Sequence, residues 1–263
     1  MRAIESHLHG ELISTVDVEG MAVAGVEAAV LLGTYVVKVG TPQQAIFDYY
    51  SHIMTWYAGL LEEYDIQPFF GLGIPALGIS DKEAEGMYPQ LKEFLMKPGV
   101  VAIGEIGLEF GSDSEVNKFK AQLKIAKELN LPVICHTPIP RAPHKPNIVN
   151  KVLNIIREVD FRPERILIDH ISEDTIESVL KAGCWAGISC AMDKLSAKES
   201  AKLAQTYSSD KILVDSERGW AHGGYFSVPR VALEMKMLGM RRDQIEQITF
   251  DNPVRFFGLK LRF

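Results

Sequence analysis

The sequence predicts a (β/α)8 barrel built as a single domain over residues 1–263. Two observations carry this. Short apolar runs rich in Val and Ile recur at residues 2–7, 27–32, 66–72, 100–105, 132–136, 165–169, 184–189 and 211–215, with amphipathic stretches between them. The runs do not alternate cleanly between apolar and polar, which suits parallel strands buried on both faces. The competing architecture is an open doubly wound sheet. It would more usually carry a glycine-rich phosphate loop after its first strand. Here Gly71 and Gly73, in FFGLGIP, fall on the third run.

The connecting stretches read as helices. DYYSHIMTWYAGLLEEY places aromatics on a packed side, and its His52 is expected to be structural. SDKEAEGMYPQLKEFL opens with Ser80 and Glu83, a capping-box spacing. SDSEVNKFKAQLKIAKELNLP opens the same way with Ser112 and Glu115. It sets Val116, Phe119, Leu123 and Ala126 on one face before Pro132 restarts a strand. LSAKESAKLAQTY repeats the cap with Ser196 and Glu199.

Hydrophobic residues make up 47% of the 263, ample for one large core and too few residues to require two domains. The net charge of -6 argues against a protein that grips extended duplex DNA. It leaves open a small molecule or a nucleic-acid end as substrate if bound cations supply positive charge. Cys135, Cys184 and Cys190 show no metal-ligand or redox-pair spacing, so free thiols in a reducing compartment are expected. No basic segment followed by an apolar run opens the chain, and no apolar stretch nears the roughly 20 residues of a membrane span. A cytoplasmic location without membrane contact is expected.

The ends of the runs are unusually polar. The first ends in His7 and His9, the fourth in Glu105, the fifth in His136, the sixth in Asp169 and His170, the eighth in Asp215. One such histidine alone reads equally well as a hydrogen-bonded core residue. Ligand-type side chains at five strand ends of one barrel mouth point to a metal site. Residues i and i+2 of a strand share a face, so His7 and His9 can both face the axis while Leu8 packs outward. Cys135, next to His136, then faces away. Four histidines with Glu105 and Asp215 exceed what one tetrahedral zinc needs and suit two cations sharing a carboxylate.

These pieces resemble the TatD-type metal-dependent hydrolases of the amidohydrolase superfamily. SHLH, GEIGLEF, FKAQLKIAKELNLPVICHTP, IDH, LVDSE and NPVRFFG occur in the family's order across almost the whole chain. GEIGL followed at this distance by LPV-x-x-H is the most specific element. The resemblance implies that His7 and His9 hold one metal, Glu105 bridges to a second, and His136 and His170 hold that second metal. It implies that Asp215 approaches the first metal and handles the proton of the attacking water. It further implies two divalent ions and hydrolysis of phosphoester bonds, as in a deoxyribonuclease or phosphodiesterase; imidazole-rich ligation suits Zn, Mn, Ni or Co, and mixed oxygen ligation admits Mg. Asn252, Arg255 and Phe256 match a C-terminal stretch read here as a closing helix. Metal binding needs neutral imidazoles, so activity is expected to fall at acid pH as histidines protonate near about 6.5.

Five departures concern the surroundings of the metals. Glu5 stands where the first motif usually has Asp, and Glu109 where the GEIGL motif usually ends in Asp. GLGIP lacks the histidine of the usual Gly-x-His-Pro. Pro138 replaces a common arginine, the next being Arg141, and Glu217 closes the last motif in place of proline. All six ligand positions are kept. The alternatives are therefore a lactonase, esterase or amidohydrolase on the same barrel, and a non-catalytic ligand-binding barrel, whose signature would be a lost ligand. No lysine ends the fourth run, so a carboxylated-lysine bridge is not expected. For substrate contacts, Arg141, His144 and Lys145 in TPIPRAPHKP read either as cations offered to an anionic substrate or as a solvated loop. Trp220, His222 and Tyr225 in RGWAHGGYF read as a lid or stacking wall, or as a plain glycine-rich connection.

Overall fold

The computed structural model describes residues 2–10, 13–33, 42–207, 210–218, 224 and 226–262. Eight strands follow the predicted runs: β1 (Ala3–Leu8), β2 (Val26–Leu32), β3 (Gln67–Leu72), β4 (Val100–Gly107), β5 (Val133–His136), β6 (Ile166–Ile168), β7 (Trp185–Ser189) and β8 (Ile212–Asp215). Each pairs in parallel with the next in sequence. A parallel bridge between Leu8 and Arg218, with His9 N–H donating to the Arg218 carbonyl at 2.7 Å, joins the last strand end to the first. The expected barrel is therefore the observed one.

Two apolar layers explain the uninterrupted runs. Ile4, Val30, Ala102, Ile134, Leu167 and Leu213 fill the barrel interior. Leu31, Ile103, Cys135 and Val214 pack outward with helix residues such as Phe119, Leu123 and Val152. Cys135 thus faces away from the barrel axis, as expected. All three serine capping boxes form, at Ser80, Ser112 and Ser196. The helix around His52 passes through a π-helical turn at Ile53–Tyr57, and His52 lies exposed on its outside, stacked on Trp56. The helix Asn252–Phe257 closes the end of the barrel where β7 and β8 begin. There Asn252 donates to the Ile212 carbonyl (2.7 Å) and Phe256 packs 5.3 Å from Trp185.

Simple alternation would have turned three key residues the wrong way. Ile4 faces the interior, so a regular β1 would send Leu8 inward and His7 and His9 outward. The β1–β2 register shifts between Glu5 and Leu8, and Leu8 packs in the outer layer. In β4, Ala102 is inside while Ile103 and Ile106 are both outside, with a register shift between the two isoleucines. That shift turns Glu105 inward. Bulges commonly re-aim side chains beside active sites in this way.

Gly107 has a specific cause. Its φ is 153°, and a Cβ there would overlap the carbonyl oxygen of His136, its partner across β4–β5. Gly107→Ala is expected to cost about 2–4 kcal/mol from backbone strain and overlap. A denaturant midpoint equal to that of the parent protein would contradict this.

Candidate metal centre

The residues singled out at the strand ends converge at the barrel mouth. His7 and His9 approach through their Nε2 atoms at 3.0 Å. His136 Nδ1 and His170 Nε2 each lie 2.9 Å from Glu105 Oε1. One ligand-type atom from each of His7, His9, Glu105 and Glu217 lies within 4.8 Å of the others, and the same holds for Glu105, His136 and His170, and for His7, Asp169 and Asp215. All six sequence-assigned positions are included. Glu105 belongs to two of the groups, and His7 also to two.

Two acids join that the sequence reading did not assign. Asp169 Oδ2 accepts from His7 Nδ1 at 2.6 Å, which leaves Nε2 of His7 toward the centre. Alternation along β6 turns Asp169 inward beside Leu167. His170 follows it into the same site because it adopts a left-handed φ of 59°, a conformation costly for a non-glycine residue. Gly187 makes room: a Cβ there would overlap Asp169 Oδ1. The signal for Asp169 was present in IDH, but linear sequence could not say that both residues turn inward. Glu217 was visible only as the replacement of a proline.

Carboxylates and a hydroxyl orient the other imidazoles. Glu109 Oε2 accepts from His136 Nε2 at 2.8 Å, so Nδ1 faces Glu105. Glu109 is placed by its backbone N–H, which donates to Glu115 at 2.7 Å. Ser189 Oγ donates to Asp169 Oδ1 (3.1 Å) and so takes the Nδ1–H of His170 (2.9 Å). Glu5 Oε1 accepts from the N–H of Ser216 (3.0 Å) and ties β1 to the residue after Asp215. Just after β3, buried Ile74 follows Gly73, and Gln122 holds its backbone N–H and carbonyl at 2.7 and 2.9 Å.

The donor set fits divalent cations. With its Nδ1 proton given to Ser189, His170 Nε2 aims a lone pair at a carboxylate oxygen 2.9 Å away, an arrangement that calls for a cation between them. Among the described residues, buried His9 Nδ1 and Asp215 Oδ1 have no hydrogen-bond partner. Burial, and then Asp169, push the Asp215 carboxyl well above its ordinary range. Burial lowers His7, but Glu105 and the Asp169 hydrogen bond outweigh it and hold His7 up at about 10. His136 is likewise held at about 9 against burial, by Glu105 and Glu109. His9 and His170 are pushed down to about 3, mainly by burial, with His7 and Lys194 adding to it. Burial raises Glu105, yet His136 and His7 hold it well below the usual carboxylate range.

Asp169→Asn keeps the shape but removes the charge behind His7. Loss of such an orienting carboxylate is expected to weaken metal binding about 10–100-fold with the helix content unchanged. Titration of the metal-free variant with Zn²⁺ checks this, and wild-type affinity would refute it.

The weaker substrate residues lie apart. Arg141 donates to the Lys194 carbonyl and pairs with Glu199 at 2.9 Å, beside a cleft of about 410 Å³ lined by Ser172, Asp174 and Leu195. His144 donates to the Glu109 carbonyl (3.1 Å) and stacks on exposed Phe110. Lys145 belongs to no solvated loop. It opens the helix Lys145–Glu158 fully buried, donating to Thr137 Oγ1 at 2.8 Å, because the end of β5 needs its carbonyl and hydroxyl partners satisfied. Trp220, His222 and Tyr225 lie outside the described residues. Among the described residues no helix is long and apolar enough to cross a membrane.

A family model described as TatD related DNase matches residues 4–258. An uncharacterized metal-dependent hydrolase of Methanocaldococcus jannaschii is 28% identical over 257 residues, covering 97% of this chain and 100% of that protein. A 3'-5' ssDNA/RNA exonuclease TatD of a Rahnella species is 47% identical over 51 residues, 18% of this chain and 19% of that protein. The crystal structure of a TatD-like protein from Archaeoglobus fulgidus superposes with a TM-score of 0.78 at 24% identity, covering 97% of this chain and 100% of that one. The family match runs from within β1 past the closing helix and takes in every strand end that carries one of these histidines or carboxylates: the chain belongs to the TatD family of metal-dependent hydrolases.

Proposed function

We propose that the protein is a binuclear hydrolase of phosphoester bonds, acting on nucleic-acid ends or small phosphodiesters. The observation that carries this reading is the Glu105 carboxylate shared by the His7/His9 group and the His136/His170 group. His7, His9 and Asp215 would hold one cation, His136 and His170 the other, and Glu105 both. Imidazole-rich sites suit Zn, Mn, Ni or Co, and mixed oxygen ligation admits Mg. When bound, the cations supply Lewis acidity toward water and toward the phosphoryl oxygens.

The chain's own groups do the rest. Asp169, Glu109 and Ser189 lock three imidazoles in orientation, so little reorganisation is needed at the moment of reaction. Asp215 is buried and has an unpartnered oxygen, and its raised pKa suits it to accept a proton from the attacking water and return it to the leaving group. The net charge of -6 favours substrates met at the centre itself over a long duplex held by phosphate contacts. The family description and the exonuclease relative support nucleic-acid ends over other esters.

The test is metal-loaded protein, across several divalent metals, offered single-stranded DNA with free ends, closed circular duplex, a phosphodiester reporter and a lactone. Turnover of the end-bearing DNA and the reporter is expected. Turnover of the lactone alone would overturn the phosphoester reading. Failure of the wild-type protein to take up any divalent cation would overturn the metal reading as well.

A further inference from the structure

We propose that Glu217 is an additional metal ligand of the His7/His9 site and that Lys194 is its positioning residue, compensating the extra negative charge. This rests on the metal-hydrolase reading above and adds to it a carboxylate at a position the family pattern gives to proline. Glu217 is 3% exposed, and one of its oxygens lies within 4.8 Å of ligand atoms of His7, His9 and Glu105. Lys194, 2% exposed, pairs with Glu217 Oε2. The other oxygen, Oε1, is left facing His170 Nε2 at 3.7 Å. The carboxylate is thus held from behind and presented forward.

The backbone is arranged to put it there. Glu217 has a left-handed φ of 45°, the second non-glycine residue of the centre, with His170, in that costly region. Its neighbours fix the turn on both sides. Ser216 N–H donates to Glu5 (3.0 Å), Arg218 N–H donates to Ser216 Oγ (3.0 Å), and Arg218 bridges to Leu8 of β1. Lys194 is fixed as firmly: its N–H donates to the Ala191 carbonyl at 3.1 Å, and its own carbonyl accepts from Arg141. Arg141 thus braces the backbone of Lys194.

Charge explains why the pair is kept. Glu105, Asp169, Asp215 and Glu217 crowd one buried site. The buried ammonium of Lys194 offsets the charge of this fourth carboxylate. Removing the ammonium leaves more negative charge on the cations, and removing the carboxylate leaves less. The two single variants should therefore move metal affinity in opposite directions.

The experiment measures Zn²⁺ and Mn²⁺ dissociation constants of metal-free full-length protein at pH 8 by competition with a chromophoric chelator. The visible spectrum of Co²⁺-loaded protein reports coordination number alongside. Glu217→Gln is expected to weaken one bound cation at least about tenfold and to change the cobalt spectrum. Lys194→Met is expected to tighten it, and the double variant Lys194→Met/Glu217→Gln to stay weak. Equal affinity and an unchanged spectrum in Glu217→Gln would overturn the proposal. So would wild-type affinity together with an unchanged cobalt spectrum in the double variant, since the loss would then come from a stranded lysine charge. Unchanged or weaker binding in Lys194→Met would overturn the role given to Lys194. If Glu217→Gln does not fold, the double variant, which strands no charge, carries the test. Wild-type protein that binds no metal would instead defeat the hydrolase reading itself.

Discussion

Glu105→Gln is expected to strip the centre of metal and to lower kcat/KM by more than about 100-fold. Loss of a side chain that orients a metal ligand typically costs about 10–100-fold, and Glu105 is shared by both ligand groups, so its loss should exceed that range. The substitution keeps the shape and one acceptor oxygen, so the neighbours need not repack. It does remove the charge that faces His136 at 2.9 Å and His7 at 3.8 Å. In the metal-free variant both imidazoles should fall back toward the ordinary histidine value of about 6.5. Metal content by mass spectrometry, activity under metal saturation and histidine titration by NMR read these three effects. Full metal content with unchanged activity would remove Glu105 from the centre.

Metal affinity is expected to rise steeply with pH between about 7 and 9. His7 and His136 are held up at about 10 and about 9, mainly because Glu105, Asp169 and Glu109 outweigh the effect of burial. Both carry a proton that a cation must displace across this window. Each displaced proton adds up to a factor of about ten in affinity per pH unit. His9 and His170, pushed down to about 3, are already neutral there and add no slope. The sign is therefore fixed by two of the four histidines: tighter binding as pH rises, levelling as it passes about 10. Calorimetric titration of Zn²⁺ into metal-free protein in buffers of different ionisation enthalpy counts the released protons. No proton release at pH 8 would contradict this. The unperturbed-histidine expectation placed the same transition near 6.5. The shift upward comes from carboxylates that the fold gathers around His7 and His136.

Much of this protein was written into its local sequence. The eight Val- and Ile-rich runs needed only to be buried on both faces to become parallel strands, and the serine caps set where the helices began. The ligand types at the strand ends were legible for the same reason: histidine and carboxylate residues closing apolar runs are expensive to bury without a partner. Which of them face the axis was a different matter. Alternation counted from Ile4 or Ala102 puts His7, His9 and Glu105 on the wrong side, and only the register shifts in β1 and β4 correct it. A bulge is a property of two paired strands, and neither strand's sequence contains it alone. Asp169, His170 and Glu217 were settled by the same kind of contact. Two left-handed residues, the space above Gly187 and the buried pairing of Glu217 with Lys194 bring together groups from β1, β6, β7 and β8. The barrel and the ligand-type residues at its mouth follow from local sequence. The tertiary structure decided how many acids surround the histidines and how strongly each one holds its proton, because both depend on distances across the barrel that no spacing along the chain records.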